Sequence, residues 1–139
     1  MRIVVDASAA ISWVLDDERD ALARAMAAEV LTHGAYVPPL FLSEIQNVLL
    51  LAIRHERASL NEVAEVLGAI TRLPLSIDIS ALGLGSIRVV EIAVSSGLSV
   101  YDATYIVLAR VLDAHLMTRD KRMRSAALAL NLLWEETTS

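Results

Sequence analysis

The stretch Arg2-Ile3-Val4-Val5-Asp6-Ala7-Ser8 constrains the fold more than any other part of the chain. Ile3, Val4 and Val5 form an unbroken β-branched run, the composition of a strand buried on both faces. Such strands belong to parallel sheets covered by helices on both sides. Asp6 follows at once, and from Ser8 onward Ala9, Ala10, Trp13 and Val14 repeat with helical spacing. A carboxylate where a buried strand gives way to a helix stands at the rim of the sheet. That rim, outside the carboxyl ends of the strands, is where α/β folds place ligands. A plainer role is open at this point: Asp6 and Ser8 accept hydrogen bonds from the free N–H groups of the first helical turn.

The rest of the chain continues the alternation. Ala21, Leu22, Ala25, Met26, Glu29 and Val30 predict a helix ending at Gly34, and Ala35-Tyr36-Val37 a short strand stopped by Pro38-Pro39. A helix is expected from about Leu40 to Arg54. Ser59-Leu60-Asn61-Glu62 has the form of a capping box opening another, which ends before Pro74. Leu75-Ser76-Ile77 reads as a third strand. Helices follow at about Ser86 to Ser96, stopped by Gly97, and at Val100 to Leu112, capped by Ser99. Ala114-His115-Leu116-Met117 is a fourth strand, Lys121 to Leu130 a helix, and Leu132-Leu133-Trp134 a last edge strand. Strands alternating with helices require crossover connections, hence a parallel sheet of four to five strands between two helical layers, a three-layer α/β/α sandwich.

At 139 residues the chain is read as one domain, 1–139, with no linker, repeat or low-complexity tract. It has no cysteine, which excludes disulfides and thiolate metal sites and fits a cytoplasmic location. The longest apolar run, Val48 to Ile53, is far too short to span a membrane. Ala7-Ser8-Ala9 has the form of a signal-peptidase site, but only three apolar residues precede Asp6, so no secretory core is present. Hydrophobic residues make up 55%, with a mean hydropathy of +0.52, which suggests apolar surface hidden against a partner. The net charge of -5 excludes nucleic-acid binding by bulk attraction, yet permits a nuclease whose acids are neutralised by cations.

Three further acids fall where this architecture brings them near Asp6. Glu44 lies one turn into its helix with Asn47 on the same face, Asp102 lies in the first turn after Ser99, and Asp120 follows the fourth strand. Separately, Glu44 could be an exposed helical residue, Asp102 a favourable charge at a helix start, and Asp120 an N-cap. Together, four carboxylates at one edge repel each other unless cations lie among them, and hard ions such as Mg²⁺ or Mn²⁺ take such oxygen ligands. Sites of this kind hydrolyse phosphodiesters with metal-activated water. No thiol, histidine pair or glycine-rich loop offers a competing chemistry.

Val4-Val5-Asp6-Ala7-Ser8, Ser43-Glu44-Ile45-Gln46-Asn47, Leu98-Ser99-Val100-Tyr101-Asp102-Ala103 and Thr118-Arg119-Asp120-Lys121-Arg122 together resemble the PIN-domain ribonucleases, most of all the VapC-type toxins of toxin–antitoxin pairs. The four segments occur in the family's order and span nearly the whole chain. The resemblance implies Asp6, Glu44, Asp102 and Asp120 as catalytic, metal-binding acids for one or two Mg²⁺ or Mn²⁺ ions. It implies Ser8 and Thr118 as assisting hydroxyls and Asn47 as a supporting residue. It further implies an endoribonuclease toxin inhibited by a cognate antitoxin whose tail enters the acidic groove, and a homodimer.

Other residues have weaker meanings. Arg119, Lys121, Arg122 and Arg124 cluster beside Asp120 as candidate contacts to the RNA backbone, or as a solvated basic face. Val48 to Ile53, with Trp13 and Leu15, is core or a groove for an antitoxin segment. His33, His55 and His115 do not pair at ligand spacing, and Tyr101 and Tyr105, one turn apart, are expected to pack. Two alternatives remain: a catalytically inactive PIN-like binding module, and a haloacid-dehalogenase-like phosphatase. The latter requires a second aspartate two residues after the first, where this chain has Ser8.

Overall fold

The computed structural model describes residues 1–83 and 85–137. Strands β1 (Arg2–Val5), β2 (Ala35–Val37), β3 (Leu75–Ile77) and β4 (Ala114–Met117) alternate with helices α1 (Ala7–Val14), α2 (Ala21–His33), α3 (Leu40–Arg54), α4 (Leu60–Thr71), α5 (Arg88–Ser96), α6 (Val100–Val111) and α7 (Lys121–Ala129). A short 3-10 turn, Asp16–Glu18, joins α1 to α2. Every strand pairing is parallel, and the sheet order is β3-β2-β1-β4. The domain expected over 1–139 runs past the described residues at its end.

The order fixes where a site can form. From β1 the chain steps to β2 and β3 on one side, then returns to place β4 on the other side of β1. With right-handed crossovers, α1 to α4 cover one face and α5 and α6 the other. Packing agrees: α1 lies against α2, α3 and α4, whereas α6 lies against α5, β1 and β4. The reversal between β1 and β4 opens a crevice at their carboxyl ends. Register sets its edge, because Val5 is opposite Met117 and the next backbone bond runs from the Asp6 N–H to the Met117 carbonyl at 3.2 Å.

Local signals account for most element ends. Asp20, Ser59, Ser99 and Asp120 each cap the helix that follows, and Ser59 with Glu62 forms the reciprocal box expected. Gly34 ends α2 at φ +71°, and a Cβ there would meet the Pro74 carbonyl oxygen at 3.3 Å, so the entry to β2 requires glycine. Helix α5 starts at Arg88 rather than Ser86, since a turn bond from the Ser86 N–H to the Gly83 carbonyl occupies the preceding residues. The edge strand expected at Leu132-Leu133-Trp134 is reduced to one parallel bridge between Leu133 and Leu116.

The core centres on β1 and α6. Ile3, Val4 and Val5 are buried, as are all residues of α6 from Ala103 to Ala109, so this helix lacks the polar face of a surface helix. Phe41, Ile45 and Leu49 bury the inner face of α3. Leu42, Leu50 and Leu51 on that helix, and Ile87, Val90 and Val94 at α5, are exposed.

Candidate active site

Asp6 lies at the centre of the crevice, 5% exposed, with both carboxylate oxygens engaged. Oδ1 accepts from the Ser8 hydroxyl at 2.7 Å and from the Ala9 N–H at 3.0 Å, so Asp6 is also the N-cap of α1. Oδ2 accepts from the Thr118 hydroxyl. Capping and a place in the site are therefore one geometry. The second strand of the crevice is tied in the same way. Ser8 Oγ accepts the Arg119 N–H at 3.0 Å, and Thr118 Oγ1 accepts the Asp120 N–H at 3.1 Å. Asp120 caps α7, its Oδ1 accepting from the Met123 N–H at 3.0 Å, and it remains exposed. Asp6, Ser8, Thr118 and Asp120 thus form one hydrogen-bonded cluster across the ends of β1 and β4.

Glu44 and Asp102 approach from helices. Glu44, half-buried in the second turn of α3, accepts a hydrogen bond at Oε1 from the Tyr105 hydroxyl at 2.8 Å. Asp102 is half-buried in the first turn of α6, where its backbone N–H donates to Ser99 Oγ at 3.1 Å. Asn47 is exposed one turn beyond Glu44.

The acids feel one another. Burial is the main cause that raises the Asp6 carboxyl above its usual range, with repulsion from Asp120 adding to it. Burial also raises Glu44, helped by the charges of Asp102 and Asp6, and raises Asp102, helped by Asp120. None of the four is in an ion pair among the described residues. As they stand, no three acidic or histidine groups among the described residues enclose a metal position. The donor set nevertheless fits a hard divalent cation, being four carboxylates without an ion-pair partner among the described residues, with neutral hydroxyl and amide donors behind them. Magnesium suits such spacing because it keeps several waters and takes only one or two carboxylates directly.

The basic cluster is largely committed within the protein. Arg119 forms a two-pronged bond to Asp20, with Nη1 and Nη2 each 2.6 Å from a carboxylate oxygen. That pair holds the Asp20 carboxyl well below its usual range. Arg122 donates to the Gly97 carbonyl at 2.6 Å and Arg124 to the Thr118 carbonyl at 3.1 Å, while Lys121 is exposed. The packing role expected of both tyrosines holds for Tyr105, 1% exposed, and fails for Tyr101, which is 68% exposed. Only one signal pointed beyond packing for Tyr105, its place one turn beyond Asp102 on the same face, and it did not name the hydrogen-bond partner that a buried phenol needs. Asp20 carried no comparable signal, since its partner is 99 residues away.

The model of the PIN domain matches residues 3–128. The chain belongs to the PIN-domain family. PIN domains are generally nucleases, typically using divalent metals, and the acids at the β1–β4 crevice are the part of this PIN domain suited to that chemistry. No curated protein matches the chain significantly. Among solved structures, the crystal structure of PAE2754 from Pyrobaculum aerophilum is similar, with a TM-score of 0.60 at 22% identity over 91% of this chain and 84% of that one. That likeness supports the fold.

Proposed function

We propose that this PIN domain, taken as one unit over 1–139, is a divalent-metal-dependent endoribonuclease acting as the toxin of a toxin–antitoxin pair. One observation supports the nuclease reading: the Asp6, Glu44 and Asp102 carboxyls are raised by burial and by repulsion from one another or from Asp120, and none of the four has an ion-pair partner among the described residues. Asp6, Glu44, Asp102 and Asp120 would hold one or two Mg²⁺ or Mn²⁺ ions. When bound, such ions polarise the phosphate, activate water and neutralise developing charge. The protein's own part is orientation. Ser8 and Thr118 fix the plane of the Asp6 carboxylate, and the Asp120 cap fixes the start of α7. Lys121 and Arg122 are exposed cations beside Asp120, suited to an RNA phosphate, with the half-buried Arg119 and Arg124 as support.

The partner assignments draw on surface chemistry. A cavity of about 600 Å³ is lined by Trp13, Leu15, Leu49, Val63 and Val66 and rimmed by Asp17, Arg57 and Glu62. The indole N–H of Trp13 is buried there without a partner among the described residues. An amphipathic antitoxin segment suits this mix. The exposed apolar residues of α3 and α5 suit a second copy in a homodimer. No single helix among the described residues is long and apolar enough to cross a membrane, and the cytoplasm is the proposed location.

The deciding experiment incubates antitoxin-free protein with total cellular RNA in Mn²⁺, Mg²⁺ or EDTA, beside Asp120→Asn. The expected result is discrete fragments with metal and none with EDTA or the variant. Intact RNA in every lane would replace this reading with a catalytically inactive PIN-like binding module.

A further inference from the structure

We propose that Tyr105 is a positioning residue that aims Glu44 into the acidic crevice. This deepens the metal-site reading above and rests on it. Glu44 stands on α3 and Tyr105 on α6, helices of opposite layers, and the 2.8 Å bond between them passes over the carboxyl edge of the sheet. The Tyr105 ring is buried in the all-buried segment of α6, so its hydroxyl is a fixed point. A half-buried glutamate has three side-chain torsions to lose, and a rigid donor removes most of that freedom before any cation arrives. The bond uses Oε1 and leaves Oε2 for the crevice. Packing alone would be served by phenylalanine; the oxygen is what the site needs.

The donor's neutrality matters as much as its place. A lysine or arginine at the same point would orient Glu44 but cancel its charge, and it would compete with a cation. The phenol orients it and leaves the charge in place. Asp6 is treated alike, since Ser8, Thr118 and the Ala9 amide are all neutral donors. Both acids most enclosed by protein are thus held by uncharged groups.

The test measures Mn²⁺ binding to metal-stripped protein by titration calorimetry, for wild type, Tyr105→Phe, Glu44→Gln and the double variant. Thermal unfolding in EDTA runs alongside. Tyr105→Phe should weaken Mn²⁺ binding about tenfold or more, and should add no further loss on a Glu44→Gln background. Wild-type affinity in Tyr105→Phe, or an equal loss on both backgrounds, would overturn the assignment. A second measurement does not need Tyr105→Phe to fold. With ¹³C-labelled tyrosine, of which the chain has 3, the Tyr105 Cζ resonance should move on saturation with Mg²⁺ and stay put in Glu44→Gln. An unmoved resonance in Mg²⁺-saturated wild type would equally overturn it. Failure of the wild type to bind either ion is a different result: it removes the metal site itself, and this role of Tyr105 with it.

Discussion

Asp6 and Asp120 hang from the ends of two adjacent strands, whereas Glu44 and Asp102 ride on helices from opposite layers. The strand pair is joined by a continuous net through Ser8, Thr118 and two backbone amides. On the helix pair, Glu44 has one side-chain bond, from Tyr105, and Asp102 has an ordered backbone amide behind it. The difference has a physical origin. Strand ends are fixed by ladder register, so short side chains there meet each other across the step. Helix residues are placed by packing of whole cylinders, so a long side chain must reach and a distant hydroxyl must catch it. The strand half therefore belongs to the fold as much as to the chemistry, and the helix half chiefly to the chemistry.

Substitutions can break that contrast. The largest effect is expected for Asp6→Asn, which keeps the shape of the α1 cap and removes a charge suited to a cation. If the ions contribute several kcal/mol to the transition state, cleavage should fall about a thousandfold, while the chelated protein unfolds no more easily than wild type. Steady-state cleavage and thermal scans in EDTA check both parts. Full activity in Asp6→Asn would sink the nuclease site.

Metal removal and pH come next. The Asp6, Glu44 and Asp102 carboxyls are all raised in the folded chain, so it binds more protons than the unfolded chain just above their ordinary values of 3.8 to 4.5. Their favourable contribution is complete below those values and is lost as pH rises through the folded ones. Metal-free protein should accordingly lose stability as the pH rises above the ordinary carboxyl values. At neutral pH, Mn²⁺ at about a hundred times its dissociation constant should restore about 2.7 kcal/mol. Calorimetric melting temperatures across a pH series, with and without Mn²⁺, provide the check.

Thr118→Val sharpens the contrast from the other side. It removes a fully buried hydroxyl that donates to Asp6 and accepts from the Asp120 amide, and should cost about 1–3 kcal/mol of stability in denaturant titrations. A loss as small as that of an exposed residue would mean the strand half is no more structural than the helix half. The smallest effect is expected for Asp20→Asn. Asp20 is exposed and its carboxyl is lowered by Arg119, so its contribution is present above the ordinary value of 3.8 and is lost as pH falls below it. The difference in melting temperature from wild type should be about a degree or two, constant from pH 5 to 7, and should close in strong acid.

The same contrast decides what could be read in the sequence. The β-branched run before Asp6, the capping box at Ser59 and the Ser99 and Asp120 caps are local patterns, and each element they imply is present. The placing of Asp6 and Asp120 at the ends of neighbouring strands followed from alternation and parallel pairing. What escaped was set by distance along the chain. The Arg119–Asp20 bond spans 99 residues and the Tyr105–Glu44 bond 61, and no local pattern marks either partner for the other. The last strand shrank to one bridge because only Leu133 comes into register with Leu116, which apolar composition at Leu132-Leu133-Trp134 does not reveal.

The hydroxyl contact between Ser8 and Thr118 joins residues 110 apart in the chain. During synthesis at about 5–20 residues per second, β1 and Asp6 exist for about 5–20 seconds before β4 and Thr118 are made. Until then one edge of β1 lacks its neighbour, and Asp6 lacks the Thr118 hydroxyl that holds its second oxygen. A nascent or truncated chain ending before Ala114 carries at most three of the acids and lacks both Asp120 and the strand end that ties it to Asp6. The cell making this protein meets all four acids on one folded unit only once β4 and Asp120 have been translated.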